Sequence, residues 1–248
     1  MITKKTAEQV AFMRRAGRVV AEMHEECSRA ARPGVTTAEL DAVAREVIER
    51  RGARSNFLNY RGFPACICTS PNEVIVHGIP GSYRLEEGDI ISIDAGAIIE
   101  GWHADAAITV PVGEIDADSR RLIEGTRRSL EAAIDQVVAG KSLGDVGAAV
   151  EGVADEHRLA VVREYVGHGI GTAMHEEPQI PNYGPAGRGP RLREGWVVAI
   201  EPMLNLGGAE TLLLDDGWTV ITADRARSAH FEHTIAVTSD GPEVLTLP

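Results

Sequence analysis

One stretch of this chain has a weak echo further along it. Glu87-Gly-Asp-Ile-Ile-Ser-Ile-Asp94 is matched 107 residues later by Glu194-Gly-Trp-Val-Val-Ala-Ile-Glu201, each a glycine turn feeding an apolar run that ends on a carboxylate. A second pair, Pro33-Gly-Val-Thr-Thr-Ala-Glu-Leu40 and Ala139-Gly-Lys-Ser-Leu-Gly-Asp-Val146, lies 106 residues apart. Both members read as a glycine exit, a hydroxyl N-cap and a new helix. Asp105-Ala-Ala-Ile-Thr-Val110 can also be laid on Glu232-His-Thr-Ile-Ala-Val237, an acid opening a β-rich run. Three matches in the same order imply two halves, about 30–113 and 136–241, each a helix pair with antiparallel strands. The expectation is an α+β fold with pseudo-two-fold symmetry, in a single domain spanning 1–248. Asp94, Asp105, Glu201 and Glu232 would then converge near the axis.

The rest of the pattern agrees with that frame. Val10, Met13, Val19, Val20 and Met23 recur at helical spacing over about 7–32, and Pro33-Gly34 ends that helix. Thr36-x-x-Glu39 is a capping box opening a second helix to about Arg51. Short β-rich segments are expected near 55–60 and 65–69, and longer strands over 89–94 and 106–112 with a hairpin around Gly101. Helical spacing returns at about 117–138 and 143–157, followed by a strand-rich tract. No linker or low-complexity stretch divides the 248 residues.

Composition narrows the function classes. The 37 acidic against 25 basic residues give a formal charge of −12, the opposite of the basic patch that nucleic-acid binding requires. Three cysteines, Cys27, Cys66 and Cys68, are too few for a disulfide framework and fit a reducing compartment. Residues 1–15 carry charges throughout, unlike the apolar core of a signal peptide. No run approaches 18 apolar residues. These features give a cytoplasmic expectation.

Asp94 and Glu201 stand out because each closes an Ile/Val run that reads as buried on both faces. An unpaired carboxylate there would cost several kcal/mol. Lys and Arg are absent from both neighbourhoods, and converging carboxylates repel unless a cation compensates them. Histidine supplies the remaining donor. His168 lies in Val166-Gly-His-Gly-Ile-Gly171, a glycine-rich turn; His175 follows seven residues on, and His77 sits in Val76-His-Gly-Ile-Pro80. Four carboxylates and one imidazole, with no thiolate, suit a pair of divalent ions better than a structural zinc site. Two such ions about 3.5–4 Å apart polarise a carbonyl and hold a hydroxide between them.

Those residues resemble a family. Ile91-Ser-Ile-Asp94, Gly101-Trp-His-Ala-Asp105, Gly167-His168-Gly-Ile-Gly171, Ala199-Ile-Glu201-Pro-Met203 and Phe231-Glu232-His-Thr234 look like the five metal-ligand motifs of type I methionine aminopeptidases, short bacterial form. Asn72-Glu-Val-Ile-Val-His77-Gly-Ile-Pro80 and Asp216-Gly-Trp218-Thr also match, and the similarity runs from about residue 5 to the C-terminus. The resemblance implies the pita-bread fold: two pseudo-two-fold halves of helices packed on a curved antiparallel sheet. It implies a hydrolase that removes the initiator methionine when the second residue is small. Asp94, Asp105, His168, Glu201 and Glu232 would bind two divalent ions, drawn from Co, Mn, Fe(II), Zn or Ni, with Asp105 and Glu232 bridging. Glu201 would also shuttle a proton, while His77 and His175 would hydrogen-bond the scissile amide and the developing oxyanion. The methionine slot would be Tyr60, Phe63, Cys68, His77 and Trp218, with His175 beside it.

The implied partners are N-termini of nascent polypeptides, with transient ribosome association, no membrane, no specific nucleic acid and a monomeric state. Met174, His230 and Gly96 depart from residues common in the family, Phe, Gln and Thr, without touching the five ligand positions. A proline-specific peptidase of the same fold could use the same ligands. A pita-bread binding protein without catalysis should lack some of them.

Overall fold

A computed structural model describes residues 2–248. Four α-helices form where apolar spacing places them: α1 Ala7–Ala30, α2 Thr37–Arg50, α3 Ala117–Ile134 and α4 Leu143–His157. The two repeat segments open their helices with the same device. Thr36 Oγ1 accepts the Glu39 N–H at 3.3 Å while the Glu39 carboxylate accepts the Thr36 N–H at 2.7 Å. Ser142 and Asp145 form the matching box at the start of α4. Helix α3 is shorter than its pattern suggested. Past Ile134 the bonds tighten to Gln136 N–H on Ala133 and Val137 N–H on Ile134, and Gly140, at φ 93°, turns the chain. Val137 stays buried, so its apolar character continued the helical pattern beyond the helix.

The strands Ile90–Ile99 and Trp102–Pro111 pair in antiparallel register along their whole length, from Ile90 opposite Pro111 to Ile99 opposite Trp102. Glu100 and Gly101, both at positive φ (50° and 81°), make the two-residue turn; left-handed backbone conformations at both positions give the turn whose twist matches the right-handed twist of the flanking strands. Ile67–Pro71 and Arg54–Ser55 pair with Ile90–Ile99. Beyond Ser55 the expected strand over 55–60 is not there. Asn59 and Arg61 take left-handed conformations around a 3₁₀ turn, Tyr60–Gly62, which no strand accommodates.

A five-stranded antiparallel sheet forms the second half, in the order Gly241–Val244, His233–Thr238, Val197–Ile200, Gly167–Gly169 and Glu176–Ile180. Helices α1 and α2 bury one apolar cluster against the first hairpin, with Met23, Leu40, Ile67 and Ile93 inaccessible. Helices α3 and α4 bury another with Leu122, Val150, Val198 and Ile235. Ile108 packs against both.

The two sheets are joined by a short seam. Ala107 and Glu232 exchange backbone hydrogen bonds, 3.3 Å and 2.9 Å. On one side Thr234 Oγ1 accepts the Asp105 N–H (2.9 Å) and donates to the Asp105 carbonyl (2.7 Å). On the other, Thr109 Oγ1 accepts the His230 N–H (2.9 Å) and donates to the His230 carbonyl (2.8 Å). Local two-fold symmetry therefore relates Thr109 to Thr234 and Ala107 to Glu232. The sequence match of Asp105 on Glu232 is two residues out of this register.

Candidate active site

The seam places the acids. Asp94 stands opposite Ala107 in the first hairpin, and Asp105 lies two residues along the same strand. Glu201 and Glu232 continue the ladder that pairs Ile200 with His233. His168 comes from the strand next to Val197–Ile200, opposite Ala199. It does not sit in a turn, as its glycines suggested. Gly167 and Gly169 flank it because neighbouring strands crowd in: a Cβ at 167 would meet the Ala199 carbonyl oxygen at 2.4 Å, and one at 169 the Glu177 carbonyl oxygen at 2.2 Å. Glycine here serves close approach of backbone, not bending.

All five residues face one cavity of about 570 Å³. One donor atom each from Asp105, His168 and Glu232 lies within 4.8 Å of the others. His168 Nε2 is 3.5 Å from Glu201 Oε1. The His168 Nδ1–H donates to the Gly169 carbonyl at 2.9 Å, which leaves the Nε2 lone pair directed at the acids. That is the tautomer and orientation a metal-binding imidazole needs.

The electrostatics show what the cluster lacks. Burial raises the Asp94 carboxyl to about 7. Burial and mutual repulsion push Asp105, Glu201 and Glu232 well above the usual carboxylate range. Asp94 Oδ1, Asp105 Oδ1 and Glu232 Oε1 are buried without a hydrogen-bond partner. Among the described residues no Lys or Arg pairs with any of the four; the ion-pair neighbours are His168 and His230, both facing Glu201. Burial holds both imidazoles down to about 3, so they are neutral and offer no compensating charge. Orphaned oxygens, missing cations and a lone pair aimed inward fit divalent metal ions.

The remaining predicted residues line the same cavity: Tyr60, Phe63, Cys68, His77, His175 and Trp218. Phe63 and Trp218 meet edge to face at 5.1 Å, and His77 meets Trp218 at 6.2 Å. His77 adopts φ 60° after the strand Val74–Val76; burial and then His175 hold its imidazole down to about 4. His175 is exposed at the rim, bonded through Nδ1 to the Tyr60 hydroxyl at 3.0 Å. Partial burial and nearby Arg61 lower its pKa. Met174 is buried in the wall with Phe57, Phe63 and Cys68. Of the departures, His230 turns its Nε2 to within 3.9 Å of Glu201. Gly96 is filled by Asn56, whose Nδ2 a Cβ would meet at 2.3 Å.

Sequence reasoning missed Phe57, Arg61 and Gly217, which also line the cavity. Arg61 is the only cation on that wall, and its guanidinium stacks 5.4 Å from the Tyr60 ring. Only the Asn59-Tyr-Arg-Gly62 run, rich in turn formers, could have signalled it.

Known proteins resemble this chain over its whole length. Residues 11–239 match the model of metallopeptidase family M24. "Methionine aminopeptidase 1" of Bacillus subtilis is 48% identical over 246 residues, 99% of each chain. The crystal structure of methionine aminopeptidase from Rickettsia prowazekii superposes with a TM-score of 0.98 at 43% identity, covering 100% of both chains. A prolidase from Pyrococcus furiosus, 20% identical, reaches 0.79 over 99% of this chain and 65% of its own, a likeness of fold alone.

Proposed function

The chain belongs to metallopeptidase family M24, and from that membership and its cavity we propose a metal-dependent aminopeptidase that removes the N-terminal methionine of nascent proteins whose second residue is small. One observation carries this reading: a slot walled by aromatic rings, a thiol and a thioether opens onto a floor of four carboxylates and one imidazole. Soft, polarisable walls suit a methionine side chain.

Asp94, Asp105, His168, Glu201 and Glu232 would hold two divalent ions, from Co, Mn, Fe(II), Zn or Ni. When bound, such ions supply Lewis acidity towards the scissile carbonyl and a water acidic enough to attack near neutral pH. Glu201 takes the proton of the attacking water and delivers it to the leaving amine. His77, neutral at pH 7 because its pKa is about 4, donates its N–H to the substrate amide. With Tyr60 Oη–H donating to Nδ1, the His175 Nε2–H is free to donate to the developing oxyanion. Tyr60, Phe63, Cys68, His77 and Trp218 hold the methionine side chain.

In this reading residues 1–248 form one catalytic domain, its halves about 30–113 and 136–241. It works as a cytoplasmic monomer on chains emerging from the ribosome, through transient contact and with no nucleic-acid partner of its own. No helix among the described residues is long and apolar enough to cross a membrane.

Purified protein incubated with Mn(II) or Co(II) and Met-X-Ser tripeptides tests the reaction. Release of free methionine is expected for X = Gly, Ala or Ser and not for Leu or Lys. Cleavage confined to X-Pro peptides would transfer the chain to proline-specific chemistry.

A further inference from the structure

Met174 and His175 reach the cavity from an irregular turn between the strands Gly167–Gly169 and Glu176–Ile180. Such backbone holds its side chains in place only if its N–H groups are tied down. Glu176 ties them. Its Oε1 accepts the N–H of Thr172 at 2.9 Å and of Ala173 at 3.3 Å. Its Oε2 accepts from Lys5 Nζ at 2.8 Å and from Thr3 Oγ1 at 2.9 Å, and Lys5 also donates to Thr3 Oγ1 at 2.8 Å.

Lys5 does not line the cavity, yet its side chain is only 3% exposed. Lysine is rarely buried unless paired, and here the pair reaches from the N-terminal segment to the residue after His175. The arrangement is tight. A Cβ at Gly171 would meet Lys5 Cε and Glu176 Oε1, each at 2.6 Å. The Lys5 N–H is fixed on the Gly195 carbonyl at 2.7 Å, at the entry to the strand leading to Glu201. The segment also lies outside residues 11–239, the part matched by the family model.

We propose that Lys5, acting through Glu176, is a positioning residue for His175 and Met174, so that the N-terminal segment sets the geometry of the cavity mouth. This rests on the role given to His175 above. The ion pair fixes the Glu176 carboxylate, the carboxylate fixes the turn, and the turn aims the imidazole. A displacement of about 1 Å at such a group is enough to cost up to 10²-fold in rate.

The test is steady-state kinetics on Met-Ala-Ser with the Mn(II)-loaded enzyme, alongside thermal melting. Five proteins are compared: wild type, Lys5→Met, Lys5→Arg, His175→Gln and the Lys5→Met/His175→Gln double variant. Lys5→Met is expected to lower kcat about tenfold while KM moves less than about threefold. Lys5→Arg should restore most of the loss. The double variant should be no slower than His175→Gln alone, because the two act on one step. Wild-type kcat in Lys5→Met, or equal fold losses from it in both backgrounds, overturns the proposal. Full activity in His175→Gln overturns instead the role of His175, and this inference with it. Should Lys5→Met fail to fold, Thr3→Val removes one of the four donors to Glu176; it is expected to lower kcat about threefold, and an unchanged kcat overturns the proposal.

Discussion

Asp94 and Glu201 were legible because each ends an apolar run, and a charge in that position needs a partner. His168 was legible only through its flanking glycines, and their reason proved to be strand crowding. Phe57 and Arg61 were not legible, since their direction depends on left-handed backbone at Asn59 and Arg61. Two predictions belong at this scale. Glu201→Gln keeps the shape and loses the proton acceptor, so kcat should fall by about 10²–10⁴-fold with an almost unchanged melting temperature. Near-normal turnover with metal bound would remove Glu201 from proton transfer. Trp218→Ala strips one wall of the slot beside Phe63 and His77. Losing roughly 1.5 kcal/mol of apolar contact raises KM for methionyl peptides about tenfold, and an unchanged KM would take Trp218 out of the slot.

The helices could be read almost to their ends, since apolar spacing and capping boxes act locally. Short strands could not. Arg54–Ser55 and Gly167–Gly169 owe their pairing to neighbours distant in sequence, and no local signal separates them from loop. The seam was legible as an approximate repeat but not in register, which depends on which threonine reaches which backbone. Its energetics can be tested. In Thr234→Val the buried N–H and carbonyl of Asp105 each lose the hydroxyl they share. Unsatisfied groups of this kind cost about 1–3 kcal/mol each. The variant should therefore melt at a markedly lower temperature and bind Mn(II) more weakly by titration calorimetry. Wild-type values for both would show that the hydroxyl holds neither strand.

For the molecule as a whole, the metal-free cluster sets a pH dependence of stability. In the fold Asp94 titrates at about 7 and burial with mutual repulsion holds the other three well above the usual carboxylate range, against near 4 when unfolded. Between those values the folded state binds more protons, so stability present at low pH is lost as pH rises through the folded values. His24, His168 and His230, each held down to about 3, act in the opposite sense. Their effect fades as pH rises above about 6.5, where the unfolded imidazoles lose their protons too. From pH 6.5 to 8 the carboxylates outweigh the fading imidazoles of these two sets. Metal-free protein should melt at falling temperature across that interval, and saturating Mn(II) should abolish the fall; a flat metal-free profile would contradict it. The seam carries one more consequence, of timing during synthesis. Asp105 and the hydroxyl that clasps it are 129 residues apart, and Glu232 lies two residues before that threonine. A ribosome that has made the first hairpin has made two donors facing nothing. The five residues can face one another only once the strand that carries Thr234 has been made and has paired across the seam.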